Sequence, residues 1–452
     1  MVTAIATERS FAAVMVFGLL VSGLGLCLTV IGVPPAGAVE LHPELRLAPM
    51  GPPDADIRRR PEEPRNITAR TRPRPELAAL GVRIRSFLLL PALELGAGYN
   101  DNVRATEDNT RSDVYGTVSP RIEARSDWSR HAVRLAANGK QGRYRDTTGE
   151  NYDDWRVTGG GRLDFGRAST VFGQASVSEQ HEDRASPDSI DETEPSQFRV
   201  TETDLGWTHP FGRFDLLLAA NAADYTFDDV DTTGLAPGTS AGRERDRESR
   251  RVEARLGYTV WPGYGVYVQT AYNTQDYDHL SAGGLDRDST GYEANAGIDL
   301  EVTDLIGGEA FIGYYNQRYE ADGFSDHGGL GFGSNLYWNI TTLSTVRFEL
   351  ERSVSESTQP GASGYLSTLA GLELEHELLR NLLLFAGTRY IVRDYQELDR
   401  EENLWQHYVG ATYMLNRHLY LRLRAVHRAQ EATGGGRDFN QTFVEQSVVL
   451  QY

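Results

Sequence analysis

From residue 86 onward the chain repeats one unit: a run of alternating apolar and polar residues, a connection, then another such run. The connections also alternate. Tight turns fall near 127–130, 166–169, 209–212, 262–264, 302–307, 339–342, 377–381 and 416–417. Longer, acid-rich loops fall near 101–112, 144–153, 182–196, 227–249, 276–290, 319–327, 355–364, 394–403 and 429–439. A period of two gives a strand with one apolar and one polar face. Eight turns and nine loops join about 18 strands, with 16 to 18 the working range. An even count with short turns on one side and long loops on the other predicts an all-β, transmembrane antiparallel up-and-down β-barrel. A soluble β-sandwich or propeller is the rival; its strands would be shorter and its connections similar on both sides.

The last run is the clearest. Thr442, Val444, Val448, Leu450 and Tyr452 alternate with Phe443, Glu445, Ser447 and Gln451, with Gln446 the one polar lapse after Val444 in the outward series. This run is expected to close the sheet against the first strand near Leu93 and Tyr99. Its apolar parity (Val444, Val448, Leu450 and Tyr452) resembles the C-terminal strand that barrel-assembly machinery reads. Outer-membrane lipid, lipopolysaccharide and that machinery are therefore expected partners.

The first 38 residues read as a signal peptide: Arg9, an apolar run from Phe11 to Val30, Pro34-Pro35, then Ala36 and Ala38 at the cleavage site. An uncleaved anchor is the alternative, because the apolar run is nearly long enough to span. Cys27, the only cysteine, lies in this segment, so the mature chain is expected to lack disulfides and cysteine metal sites. Residues 39–85 hold ten arginines against seven acids, with many prolines. That composition predicts a mostly disordered periplasmic extension before a barrel domain at 86–452. The whole chain carries −19; Glu8 and Arg9 cancel and 39–85 contributes +3, leaving 86–452 at −22. Such acidity argues against nucleic acid as a partner.

Strand parity assigns a lumen. Arg121, Glu123, Arg125, Arg134, Glu253, Arg255, Glu293, Arg347, Glu349, Arg389, Arg422 and Arg424 fall opposite the apolar faces. Eighteen tilted strands enclose a backbone diameter of about 35 Å, more than side chains alone fill, so water or inward-folded loops occupy the interior. Trp128, Trp207, Trp261 and Trp338 sit at periplasmic strand ends, and Trp155 and Trp405 at outer ends, as an aromatic girdle requires.

No catalytic constellation emerges, and no cofactor is expected. Gly329, Gly331 and Gly333 resemble a nucleotide loop only superficially, since they lie in a strand with no helix after it. His376, His418 and His427 read as solvated residues at turns or strand ends. A barrel hydrolase would need a histidine near acids at the rim; His181 with Glu182, Asp183 and Asp188 is the candidate. Asp228, Asp229, Asp231, Asp286 and Asp288 are weak candidates for a divalent cation, against the simpler reading of solvated loop charge.

From Arg72 to Tyr452 the chain resembles the Putative beta-barrel porin 2 family. The resemblance rests on Arg72-Pro-Arg-Pro-Glu76, Gly81-Val-Arg83, Ser86-Phe87, Pro91 and Tyr99-Asn-Asp-Asn102. It continues through Ser126-Asp-Trp-Ser-Arg-His131, Gly364-Tyr-Leu366, Asn381-Leu-Leu-Leu384 and Leu415-Asn-Arg417. Asn100 stands where an acid often precedes Asp101. The resemblance implies an outer-membrane barrel of a Gram-negative bacterium without family catalytic residues. A porin-like channel for small hydrophilic solutes is the first reading. Exopolysaccharide export, for which Tyr115, Tyr267, Tyr337 and Tyr420 have lumen parity, or a structural barrel with a plugged lumen are the alternatives.

Overall fold

The computed structural model describes residues 67–452 except 167, 188, 190–193, 230–241, 282–283, 303–304 and 358–360. Cys27, the cleavage residues Ala36 and Ala38, Asp188 and Asp231 lie outside the described residues. A short β1 (Val82–Ile84) turns into β2 (Phe87–Asn100). The first half of the wall continues through β3 (Asp113–Ser126), β4 (Ala132–Tyr144), β5 (Tyr152–Phe165), β6 (Ser169–His181), β7 (Gln197–Phe211), β8 (Phe214–Phe227) and β9 (Arg247–Trp261). The second half comprises β10 (Tyr264–Tyr277), β11 (Ser289–Val302), β12 (Ile306–Tyr319), β13 (His327–Thr341), β14 (Ser344–Glu356) and β15 (Gly364–Leu379). It ends with β16 (Leu382–Tyr395), β17 (Glu401–Asn416), β18 (Leu419–Ala432) and β19 (Phe439–Gln451).

Each strand from β2 to β19 pairs antiparallel with the next, and β19 returns to pair with β2. Val444 lies opposite Tyr99 and Leu450 opposite Leu93. The sheet is therefore a closed barrel of eighteen long strands with no exposed edge. Closure gives each long strand a partner on both sides, which is what permits strands to cross a bilayer. No helix among the described residues is long and apolar enough to cross a membrane.

Several turns are tighter than the sequence patterns suggest. β7 runs on through Pro210, which faces Asp215 at the very end of the ladder, so the turn shrinks to Gly212-Arg213. Proline is tolerated there because the strand end has few ladder bonds left to lose. Gly212 has φ +69°, the left-handed geometry such a two-residue turn needs.

Parity is visible in exposure. On β3, Val114, Val118 and Ile122 are exposed outward, whereas Asp113 and Thr117 are buried inward. Many lumen-facing glycines are covered by an aromatic ring from the adjacent strand: Gly98 by Tyr115, Gly142 by Tyr152, Gly297 by Tyr267, Gly307 by Tyr337 and Gly387 by Tyr408. A Cβ at any of these positions would overlap the ring. The glycine makes room for a large ring to lie flat on the wall, and the ring shields a backbone that glycine leaves bare.

The boundary expected at residue 86 does not separate docked chain from barrel. Residues 67–81 lie against the inner wall at the turn-side end: Asn339 donates to the Ile67 carbonyl at 2.9 Å and Tyr420 to the Leu77 carbonyl at 2.6 Å. Gly81 then donates to the Tyr452 carbonyl at 3.0 Å, tying this segment to the end of β19. Composition suggested disorder because the segment buries little apolar surface; its order comes instead from hydrogen bonds and ion pairs to the wall.

Candidate functional site

The barrel interior carries the polar chemistry. Arg121, Glu123 and Arg125 on β3, Arg134 on β4, and Arg422 and Arg424 on β18 share the inward parity. So do Glu253 and Arg255 on β9, Glu293 on β11, Arg347 and Glu349 on β14, and Arg389 on β16. Many are ion-paired along the wall. Arg134 meets Glu123 at 3.1 Å, Arg422 meets Glu94 at 2.7 Å, and Arg389 meets Glu349 at 3.1 Å. Arg347 joins Glu375 at 2.9 Å. Arg251 meets Glu293 at 2.7 Å, and Arg255 holds both Asp299 at 2.7 Å and Glu309 at 3.0 Å.

The pairing does not cancel evenly around the wall. The β3–β5 and β18 sector is rich in cations: Arg121, Arg125, Lys140, Arg156 and Arg424 add to the paired ones, Arg428 among them, against Asp113, Glu123, Asp154 and Asp164. Arg121 and Arg125 have no hydrogen-bonded or ion-paired partner among the described residues. The facing β7–β12 sector is rich in acids, with Glu202, Asp204, Asp215, Glu253, Glu293, Asp299 and Glu309 against Arg247, Arg251 and Arg255. Asn221 bridges Glu202 and Asp204 at 3.0 and 2.8 Å. A lumen walled on one side by cations and on the other by carboxylates carries a field across its axis.

Outer loops fold into the opposite mouth. Glu150 receives Arg104 from the 101–112 loop at 3.0 Å and Arg184 from the 182–196 loop at 2.8 Å. Glu182 clamps Arg245 through two bonds of 3.0 and 2.9 Å. Asp183 reaches Arg428 on β18 at 2.8 Å, and Arg437 donates to the Arg184 carbonyl at 2.6 Å. Ala105 and Ala185 from two of these loops pack on Leu369, Ile391, Leu404 and Phe439 of the wall. Burying paired charges stabilises little by itself, but removing one partner leaves the other uncompensated, so the arrangement is held in register. Burial raises the carboxyls of Asp246 and Asp288 above the usual range, partly offset by the Phe227 and Tyr277 N–H groups they accept at 2.6 Å.

The candidate hydrolase group does not converge. His181 bonds Asp154 at 2.8 Å and stacks on Tyr152 at 3.8 Å, while Glu182 and Asp183 turn to separate arginines. The loop carboxylates likewise diverge: Asp229 pairs with Arg243 at 2.9 Å, Asp286 accepts the Asp288 N–H at 3.0 Å, and Asp228 makes no cluster with them. Among the described residues no group of three or more His, Cys, Asp or Glu is placed to hold a metal ion. Gly329, Gly331 and Gly333 lie inside β13. His427 is not at a strand end: it lies within β18, opposite His407, because that strand continues to Ala432.

The girdle residues face outward near the strand ends. Trp128, Trp155, Trp261, Trp338 and Trp405 are exposed. Trp207 stacks on His209, His209 on Phe211 and Phe211 on Phe214, a row of aromatics along the turn-side rim. Trp405 sits 4.4 Å from Tyr390 at the loop side. On β19, Val444, Val448 and Leu450 share the outward parity, and Tyr452, just past its end, stacks on His418.

Sequence parity did not single out Glu150, Arg184, Arg245 or Arg428. Arg428 was within reach, four residues beyond Arg424 on the same face of β18. The other three lie in loops, where no period marks direction.

A family model described as Putative beta-barrel porin 2 matches residues 74–452. The chain belongs to that family. With the closed sheet, this makes it a porin-family barrel of the outer membrane. No curated protein matches the chain. Among solved structures it is similar to the outer membrane protein opdK from Pseudomonas aeruginosa, at 14% identity, covering 80% of this chain and 99% of that one, with a TM-score of 0.45. A BenF-like porin from Pseudomonas fluorescens Pf-5 matches at 12% identity, 82% and 100% coverage and a TM-score of 0.45. The siderophore receptor PirA from Acinetobacter baumannii matches at 8% identity, 80% of each chain and a TM-score of 0.44. The fold rests on the strand register, not on these likenesses.

Proposed function

We propose that this barrel is a passive channel for small hydrophilic solutes, with selectivity set by the charged lumen. The observation that carries the reading is the opposition of a cationic β3–β5 and β18 sector to an acidic β7–β12 sector. Such a field turns a dipolar solute so that its charged ends meet opposite walls, and strips water from it gradually. The inward loops narrow the outer mouth and so limit solute size.

That same loop cluster supports a second reading, a structural barrel with a plugged lumen. Ala105 and Ala185 pack on the β15–β19 wall; the Glu182–Arg245 and Asp183–Arg428 pairs hold the Ala185 loop, and Glu150, shared by Arg104 and Arg184, ties the Ala105 loop to it. Polysaccharide export has less support. Tyr115, Tyr267 and Tyr337 each lie flat over a neighbouring glycine, and Tyr420 bonds Leu77, so they form no continuous sugar-stacking path.

Purified protein in a planar bilayer decides between the readings. A channel gives stable, salt-dependent current with a measurable reversal potential. Persistent absence of current overturns the channel and leaves the plugged barrel.

A further inference from the structure

Within β15 the sequence places carboxylates at every second position: Glu373, Glu375 and Glu377, all on the lumen face. The segment preceding the barrel places guanidiniums at the same spacing: Arg70, Arg72 and Arg74. The structure brings the two rows together, three hundred residues apart in sequence. Arg70 Nη2 meets Glu373 at 3.0 Å and its Nε meets Glu375 at 3.5 Å. Arg72 meets Glu377 at 3.5 Å, and Arg74 meets it at 2.5 Å.

Backbone contacts fix the register of this strap. Ala69 N–H donates to Thr345 Oγ1 at 2.9 Å and Arg70 N–H to Glu375 at 3.0 Å. Arg74 also donates to the Arg380 and Ala69 carbonyls at 3.1 and 2.8 Å. Thr68, Ala69, Arg74, Glu375 and Glu377 are all buried. Arg347, 2.9 Å from Glu375, and Arg380, 3.9 Å from Glu377, offset this row only in part, so without the strap three carboxylates on a water-facing wall would still repel one another and draw in cations.

We propose that the Glu373–Glu375–Glu377 row is a guanidinium-binding site at the periplasmic mouth, filled in cis by Arg70, Arg72 and Arg74 as a tethered, displaceable occupant. The strap covers the wall from Asn339 on β13 to Tyr420 on β18, so its presence narrows the mouth and masks the acidic row. Its release widens the pore and makes it prefer cations. Ion pairs suit this role: they define one register, yet yield to competing cations and salt more readily than an apolar plug does. The conductance arm of the test rests on the channel reading above; the proteolysis arm does not.

Three full-chain forms are compared: wild type, R70Q/R72Q/R74Q, and E373Q/E375Q/E377Q. In bilayers both variants conduct more than wild type, and only R70Q/R72Q/R74Q shifts its reversal potential toward cation selectivity. A hexa-arginine peptide on the periplasmic side blocks R70Q/R72Q/R74Q and leaves E373Q/E375Q/E377Q open. Independently of current, trypsin cleavage between Arg70 and Thr71 is slow in wild type and about ten-fold or more faster in E373Q/E375Q/E377Q, because cleavage follows the open population. Equal cleavage of wild type and that variant overturns the strap. Wild-type current with unchanged conductance and selectivity in both variants overturns its gating role. Absence of current in every form, with faster Thr71 release, sinks the channel reading and retains the binding site.

Discussion

The guanidinium of Arg255 sits 3.5 Å above the ring centroid of Tyr267, and that ring in turn covers Gly297. Three adjacent strands, β9, β10 and β11, thus build one layered contact: glycine, aromatic face, cation. The cation completes its shell with Asp299 and Glu309. On the acidic side of the lumen this fixes both the position of a positive charge and the carboxylates it leaves exposed.

Gly297→Val is expected to lift Tyr267 from the wall and disturb Arg255. The overpacking costs about 1–3 kcal/mol, and loss of the cation–π contact adds about 0.5–2 kcal/mol. Urea unfolding in detergent, followed by the gel mobility of the folded barrel, measures the sum. In the Tyr267→Ala background the glycine substitution should cost much less, since the ring it meets is gone. Additive penalties would refute the layered contact.

Neutralising the cationic wall should change selectivity more than stability. Arg121 and Arg125 face the lumen without ion-pair partners, so R121Q/R125Q leaves no buried carboxylate stranded. The reversal potential in a salt gradient is expected to move toward cations, while the unfolding midpoint stays within about 0.5 kcal/mol of wild type. Glu293→Gln differs, because it strips Arg251 of its 2.7 Å partner inside the wall. Its expected cost is larger, up to about 3–5 kcal/mol if Glu253 at 3.8 Å fails to compensate. A selectivity shift from Glu293→Gln alone, with none from R121Q/R125Q, would contradict the two-walled field.

Much of this was legible because a strand's period of two leaves little freedom. Once the turn-and-loop alternation gave eighteen strands, the parity of Val444 and Leu450 fixed their faces, and Leu93 and Tyr99 were their only partners at the closing seam. The mouths were less legible. Glu182 and Arg245 lie in loops, where direction follows from tertiary packing and no local pattern reports it. The strap was not legible for a different reason: arginine and proline content measures how little apolar surface a segment can bury, and is silent about a matching row of charge elsewhere. The shared spacing of Arg70, Arg72 and Arg74 with Glu373, Glu375 and Glu377 was the signal available.

Charge on the lipid face should be penalised by depth. Val444 lies near the middle of β19 and Leu450 near its periplasmic end, on the same outward parity. Val444→Arg is expected to cost about 2–4 kcal/mol and Leu450→Arg about 0–1 kcal/mol. Folding titrations into lipid vesicles measure both. In the same titrations Tyr452→Ala should fold like wild type, while pulse-chase assembly in cells should slow, the pattern that recognition of Tyr452 by assembly machinery requires. Equal penalties at 444 and 450 would mean that the strand is not a simple bilayer crossing.

Loop docking at the outer mouth should strengthen as pH falls. Asp246 accepts the Phe227 N–H and Asp288 the Tyr277 N–H, both at 2.6 Å, and burial raises both carboxyls above their ordinary value of 3.8. A carboxyl raised in the docked state binds its proton more tightly there than in the undocked chain. Above the raised values both states are ionised, and docking carries the full cost of a buried charge. As pH drops through the raised values that cost is relieved, and no further gain comes once the pH is below the ordinary value. Hydrogen exchange at the Phe227 and Tyr277 amides, which report each bond directly, should therefore show more protection, after correction for intrinsic rates, near pH 3.8, the ordinary carboxyl value, than at neutral pH. Asp246→Asn keeps an oxygen for the Phe227 N–H and removes the ionisation, so the pH response at Phe227 should vanish while that at Tyr277 persists. Protection that instead falls with acidification at both amides would show that the carboxylates are needed charged, held by the surrounding arginines against the cost of burial.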